Sequence, residues 1–204
     1  MTRYGMAIDL SRCIGCNTCA VACKVSNNLP KDVWWNRVMT VGGPHLDAPS
    51  GTYPNLEMYN VTVACQHCEN PACVKVCPVG ATYKDPETGV VRQDYDKCIG
   101  CRMCMSACPY GARSFNFRDP QPYVKDVNPE FPMRTRGVVE KCTFCWHRLA
   151  KGLAPACVEA CSARARIFGD ASDPDSAVSQ KLRERSSMRL LEDRDTEPSV
   201  YFLR

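Results

Sequence analysis

Sixteen cysteines carry the chemistry this chain has to offer, and their spacing is its most informative feature. They fall into four groups of four with none left over: Cys13, Cys16, Cys19, Cys23; then Cys65, Cys68, Cys73, Cys77; then Cys98, Cys101, Cys104, Cys108; then Cys142, Cys145, Cys157, Cys161. The first and third groups read C-x2-C-x2-C-x3-C, the second reads C-x2-C-x4-C-x3-C, and Pro78 and Pro109 follow the second and third. Three chemistries compete for such a set: eight disulfides, four zinc sites, or iron-sulfur clusters.

Disulfides need an oxidising compartment, yet the stretch from Met1 to Asp9 has neither an apolar export-signal core nor twin arginines. Zinc is gripped from two well-separated pairs, because four ligands must come round a tetrahedron. Only the fourth group has that form, and alone it would read as a zinc ribbon. The first and third groups instead match the bacterial iron-sulfur run, in which the fourth cysteine ligates the other cluster of a pair. Three close thiolates on one loop suit one side of a metal-sulfide cube. Gly15 and Gly100 lie inside the C-I-G-C turns, where a side chain would crowd the cluster or forbid a positive φ. A short helix then carries the fourth cysteine toward a neighbouring cluster, and loop amides aim at the sulfurs. Sixteen thiolates satisfy four cubanes, so four [4Fe-4S] clusters are expected.

The elements that must position these thiols repeat. From Asp9 to Cys23 and from Asp94 to Cys108, an offset of 85, eight residues are identical on one frame. Pro71-Ala72-Cys73-Val74 and Cys77 recur as Pro155-Ala156-Cys157-Val158 and Cys161. The order is A-B-A′-B′. The second, third and fourth groups are each read as a short helix bearing the last cysteine, Cys77, Cys108 or Cys161, followed by a returning strand near Tyr83, Phe115 or Phe168. Strands are also expected at Tyr4 to Ile8 and Val90 to Gln93. The expected fold class is α+β: two ferredoxin-like dicluster halves from an internal duplication, loop-rich, with long inserted loops and a C-terminal helix and strand. The halves are residues 1–87, with an insertion over 26–60, and 88–169, with an insertion over 114–140.

The two insertions contain Pro30, Pro44, Pro49, Pro120, Pro122 and Pro129 without periodicity, which predicts irregular loops. Trp34, Trp35, Phe117, Tyr123 and Phe131 in them face two readings, a partner interface or cover for the loops' own underside. The tail, 170–204, predicts a helix capped by Asp175 or Ser176 and running from Ala177 to about Arg189. It closes on Val200-Tyr201-Phe202-Leu203, an apolar strand that wants a neighbour and is expected to dock on a partner subunit. His45, His67 and His147 are not needed as ligands. Lys24, Lys75, Lys97, Arg102, Lys141, Arg164 and Arg166 are near enough in sequence to raise cluster potentials.

Composition excludes other classes. Hydrophobic residues make up 45% and mean hydropathy is −0.31, with no apolar run of membrane-spanning length. The formal charge of +4 is dispersed, which argues against nucleic acid, and four oxidised cubanes of about −2 each would bring it to about −4. No G-x-G-x-x-G or G-x-x-x-x-G-K-[ST] loop appears, so no nucleotide or second-substrate site is evident.

The four-motif order, the C-I-G-C turns, Cys-x-His-Cys-Glu-Asn-Pro-Ala-Cys at Cys65 to Cys73, Glu140-Lys141-Cys142-Thr143-Phe144-Cys145 and the final Val200-Tyr201-Phe202-Leu203 together resemble one family. It is the four-cluster ferredoxin subunit of dimethyl sulfoxide reductase-type molybdenum or tungsten oxidoreductases, including polysulfide, tetrathionate and arsenate reductase subunits. The resemblance implies that Cys13, Cys16, Cys19 and Cys161 hold the cluster nearest the molybdenum, and Cys23, Cys142, Cys145 and Cys157 the next. It implies Cys65, Cys68, Cys73 and Cys108 for the third, and Cys77, Cys98, Cys101 and Cys104 for the last. Some relatives lack the second cysteine of the third group and hold a three-iron cluster, but Cys101 is present here. The implied role is a non-catalytic wire between a molybdopterin subunit and a membrane anchor with quinone or haem. Such a subunit is peripheral, co-exported with a signal-bearing partner or, alternatively, cytoplasmic. Competing expectations are the electron-transfer subunit of a hydrogenase, formate dehydrogenase or quinol dehydrogenase complex, and a zinc-stabilised interaction protein.

Overall fold

The computed structural model describes residues 1–45 and 47–204. In chain order the elements are β1 (Tyr4–Asp9), α1 (Thr18–Ser26), β2 (Arg37–Val41), β3 (Ser50–Thr52), β4 (Asn55–Glu57), β5 (Tyr59–Val63), α2 (Ala72–Lys75), β6 (Thr82–Lys84), β7 (Val91–Gln93), α3 (Met103–Ser106), β8 (Ser114–Phe115) and β9 (Val139–Glu140). They continue with α4 (Trp146–Leu149), α5 (Ala156–Glu159), β10 (Arg166–Asp170), α6 (Ala177–Glu184), β11 (Ser187–Met188) and β12 (Val200–Leu203). Short helices and small mixed sheets joined by long loops make this an α+β protein.

The largest sheet has the order β10-β1-β12-β11. β1 is its centre, antiparallel to β10 with Met6 opposite Phe168, and parallel to β12 with Ile8 opposite Phe202. A strand covered on both faces needs an apolar middle, which Met6, Ala7 and Ile8 supply, while the buried Asp9 at its end pairs with Arg185. Ile8, Val61, Val90, Phe144 and Phe202 form the main core, where Phe144 meets Phe168 edge-on at 5.2 Å between ring centroids.

Several expectations change here. The terminal strand finds its neighbour within the chain, with Phe202 and Leu203 fully buried against β1. The tail helix starts where expected, with the Ser176 hydroxyl accepting the Ser179 N–H at 3.2 Å, but ends at Glu184. Arg185 turns extended to reach Asp9, and Ser187 and Met188 pair with β12, which outcompetes a continued helix. The 26–60 stretch is not irregular, since β2 pairs with β5 and β3 with β4. The loop aromatics divide: Trp35 and Phe131 are buried edge to face, whereas Trp34, Phe117 and Tyr123 are exposed.

Candidate functional site

The first-group loop leaves β1 and delivers Cys13 and Cys16 before α1 presents Cys19 and Cys23 along one side. Gly15 takes φ +70 and Asn17 φ 59; at the same offset, Gly100 takes φ +69 and Arg102 φ 63 before α3. These left-handed residues coil the loop tightly enough for its thiols to converge. A Cβ on Gly15 would come 2.7 Å from Asn60 Oδ1, and one on Gly100 would collide with the Gly137 carbonyl. The positive φ was expected, and the protein wall adds crowding of its own against a side chain at either glycine. The expectation that a short helix bears the last cysteine fails for all three positions, since Cys77, Cys108 and Cys161 stand just past α2, α3 and α5, whereas Cys23 lies within α1. The returning strands β6, β8 and β10 follow those three.

Packing of α1 on α5 and of α2 on α3 brings cysteines from different groups together. One cavity is lined by Cys13, Cys16, Cys19 and Cys161, walled by Ile8, Ile14 and Val38. A second is lined by Cys23, Cys142, Cys145 and Cys157, and Cys65 also reaches it. A third is lined by Cys65, Cys68, Cys73 and Cys108, beside Val91 and Tyr110. Cys104 lies within electrostatic reach of Cys98 and Cys101, and of Cys73 from the third set, and Cys101 is exposed. Cys77 accepts a hydrogen bond from the Thr82 N–H at 3.5 Å.

All sixteen cysteines are free thiols. Among the described residues no three Cys, His, Asp or Glu side chains converge closely enough to grip a single ion. Quartets of thiols spread round apolar cavities fit a polynuclear metal-sulfur group instead, and that donor set suits [4Fe-4S]. Burial pushes the Cys68 thiol up to about 12 and that of Cys157 up to about 11, and it raises Cys23 and Cys142 as well. Ionising such thiols together requires positive charge among them, which iron supplies. Exposed Cys16 is lowered by hydrogen bonds from Thr18. At Cys77 burial opposes ionisation, but the N–H groups of Thr82, Val79 and Ala81 outweigh it. Further donors aim at sulfur: Ala165 N–H to Cys161 at 3.3 Å, Phe144 N–H to Cys142 at 3.5 Å, and Asn27 Nδ2 to both Cys23 and Cys145 at 3.7 Å.

Of the seven basic residues singled out by sequence, Lys141 and Arg166 are buried, whereas Lys75, Lys97, Arg102 and Arg164 are exposed. Lys24 donates to Pro30 O and Val33 O rather than to the thiols. Sequence reasoning missed Arg113, buried beside Cys73, and Asn27. The available signal for Arg113 was position: it follows Cys108 by five residues, as Arg166 follows Cys161. His67 and His147 are buried and His45 is exposed; His67 stacks on Phe144 at 3.7 Å.

The 4Fe-4S dicluster domain family matches residues 56–171, and the 4Fe-4S binding domain family matches residues 6–26. The chain is 53% identical over its whole length to a Halobacterium salinarum protein provisionally named as the iron-sulfur subunit of a dimethyl sulfoxide reductase, covering 79% of it. It is 40% identical to the arsenate respiratory reductase iron-sulfur subunit of a Shewanella species, over 99% of this chain and 96% of the relative. It is 42% identical to the Hdr-like menaquinol oxidoreductase iron-sulfur subunit 1 of Archaeoglobus fulgidus, over 98% of this chain and 82% of the relative. With cysteine-lined cavities, ferredoxin-type domains and full-length relatives in agreement, the chain belongs to the family of iron-sulfur electron-transfer subunits of dimethyl sulfoxide reductase-type oxidoreductases.

Proposed function

We propose that this chain passes single electrons through four [4Fe-4S] clusters between a molybdopterin catalytic subunit, with molybdenum or tungsten, and a membrane subunit carrying quinone or haem. The observation that carries this reading is the gathering of thiols from distant groups around shared apolar cavities, which twelve of the sixteen free cysteines line. The cavity linings support the assignment of Cys13, Cys16, Cys19 and Cys161 to one cluster, Cys23, Cys142, Cys145 and Cys157 to a second, and Cys65, Cys68, Cys73 and Cys108 to a third. Cys77, Cys98, Cys101 and Cys104 complete the fourth. The reductase names of two relatives support the catalytic end, and the menaquinol name of the third supports the quinone end.

Each bound cluster supplies a one-electron carrier, cycling between about −2 and about −3. The chain's own residues do the rest. Thiols anchor, N–H donors hold the added negative charge, and Ile8, Val38 and Phe144 keep water away. Exposed Cys16 and Cys101 put two of the four sites at the surface, where partners can exchange electrons. No helix of the described residues is long and apolar enough to cross a membrane. We place the chain as a peripheral subunit, extracytoplasmic by co-export with a signal-bearing partner.

An internal duplication, with copies at 1–87 and 88–169 and a tail at 170–204, is part of the same reading. The matched φ values of Gly15 with Gly100 and Asn17 with Arg102 support it. Each proposed cluster then takes ligands from both copies.

Iron and sulfide analysis after anaerobic purification tests the core claim, with about 16 of each per chain expected. Near-stoichiometric zinc with little iron overturns it. The isolated chain should exchange electrons with a viologen dye yet turn over no sulfoxide or oxyanion, and native purification should bring down a molybdenum- or tungsten-containing subunit. Turnover by the chain alone contradicts a wire.

A further inference from the structure

Three cations are buried in the interior without a carboxylate partner among the described residues: Arg113, Lys141 and Arg166. A buried charge is expensive unless something of opposite sign faces it. Arg166 lines both the first and the second cavity, with Nη1 3.6 Å from Cys157 Sγ and Nη2 donating to Asn36 Oδ1 at 3.0 Å. Arg113 lines the third cavity and feels Cys73 and Cys65 of that set together with Cys104 of the fourth. Its Nη1 donates to Thr82 Oγ1 and Gln93 Oε1, while its Nη2 is buried with no protein partner. Lys141 donates to the carbonyl of Cys142, from the second set, at 2.8 Å, and to that of Val91, which lines the third cavity. Each cation therefore touches two sets: Arg166 lines the first and second cavities, Lys141 holds backbone carbonyls of the second set and of the third cavity's wall, and Arg113 lines the third cavity and reaches the fourth set through Thr82, whose N–H donates to Cys77.

We propose that Arg166, Lys141 and Arg113 are the counter-ions of the electron path, one at each gap between consecutive clusters, each raising the reduction potentials of both clusters it separates. The proposal rests on the four-cluster reading above. An electron that reaches one cluster leaves its neighbour: one site gains a negative charge, the other loses it, and no bond is made or broken. A cation between the two stabilises the electron on either side, so the path is smoothed without favouring one direction. Burial opposes the charge of Arg113 and Arg166, and the surrounding thiolates outweigh it. The two arginines hold equivalent places, each five residues past the last cysteine of its group and at the entry to a returning strand, β8 or β10.

The test is an EPR-monitored redox titration of the full chain, purified anaerobically, as wild type, Arg166→Gln, Arg166→Lys, Arg113→Gln and Lys141→Met. Iron and sulfide content is measured first. A wild-type count well below sixteen iron atoms refutes the four-cluster reading and not the placement of the cations. In fully loaded protein, Arg166→Gln should lower two cluster potentials by at least a tenfold step in the one-electron equilibrium, about 59 mV. Arg113→Gln should lower the other two, Lys141→Met one from each pair, and Arg166→Lys should restore most of its shift. Unmoved potentials in a loaded Gln variant, a shift confined to one cluster, or equal shifts in the Gln and Lys variants would overturn the proposal. Should Arg166→Gln fail to load, pulsed EPR on reduced wild-type protein carrying 15N-arginine decides. Coupling from guanidinium nitrogen that disappears in Arg166→Lys supports the contact, and its absence from wild type refutes it.

Discussion

Arg134 and Glu140, both fully buried, meet at 2.8 Å between Nε and Oε2, and this pair ties the second long loop to the cysteine-bearing core. Glu140 also accepts from Trp35 Nε1 at 3.1 Å and Asn116 Nδ2 at 2.9 Å, while Arg134 Nη2 donates to Asn28 O at 2.8 Å. The carboxylate thus holds residues from both long stretches on one point. Glu140→Ala strands a buried guanidinium and should cost about 3–5 kcal/mol, whereas pairing it with Arg134→Met should recover much of the loss. Anaerobic thermal unfolding of the iron-loaded protein measures both, and an unchanged melting temperature for Glu140→Ala would refute the tie.

Gly100→Ala should be more costly than Gly80→Ala, although both sit at positive φ, +69 and +63. The left-handed conformation alone costs an alanine about 1–2 kcal/mol. At Gly80 the space is open, but at Gly100 the new methyl meets the Gly137 carbonyl. Equal melting temperatures for the two iron-loaded variants would show that the wall gives way.

Removing the side-chain amide in Asn27→Ala should shift one cluster potential to more negative values and leave the others in place. Its Nδ2 lies 3.7 Å from both Cys23 and Cys145 sulfurs, and donors to thiolate stabilise the reduced state. Each hydrogen bond is worth about 1 kcal/mol net. Redox titration checks it, and movement of two clusters would show that Cys23 and Cys145 serve different ones.

The proposed crossed ligation makes a spectroscopic prediction of its own. Cys23→Ser should perturb the same EPR signal as Cys145→Ser, because the two line one cavity, and Cys16→Ser should perturb another. If Cys23 and Cys16 variants altered one signal, the ligand sets would have to be redrawn along the sequence groups.

Oxidants should strip iron in an order set by exposure. Cys16 and Cys101 are exposed, whereas Cys23 and Cys145 are buried. Brief oxidation should therefore yield three-iron signals from the first and fourth clusters, with intact anaerobic protein showing none. Prior loss of the Cys23-Cys145 cluster would contradict the burial argument.

The class of cofactor was legible in the sequence because the signal is local: three thiols within seven residues, coiled by Gly15 and Asn17 or by Gly100 and Arg102, carry their geometry in the spacing. Strand β1, the tail helix cap at Ser176 and the α+β class were equally local, resting on residue type and turn chemistry. Tertiary packing decided what depends on distant chain segments. It set Cys23 beside Cys142 and Cys145, drew β12 onto β1 instead of outward, and separated buried Trp35 from exposed Trp34, neighbours that composition cannot distinguish. The buried cations follow the same rule. Nearness of a basic residue to a cysteine in sequence does not by itself fix where its charge will rest, because that is settled by which helices pack together and which cavities their thiols close.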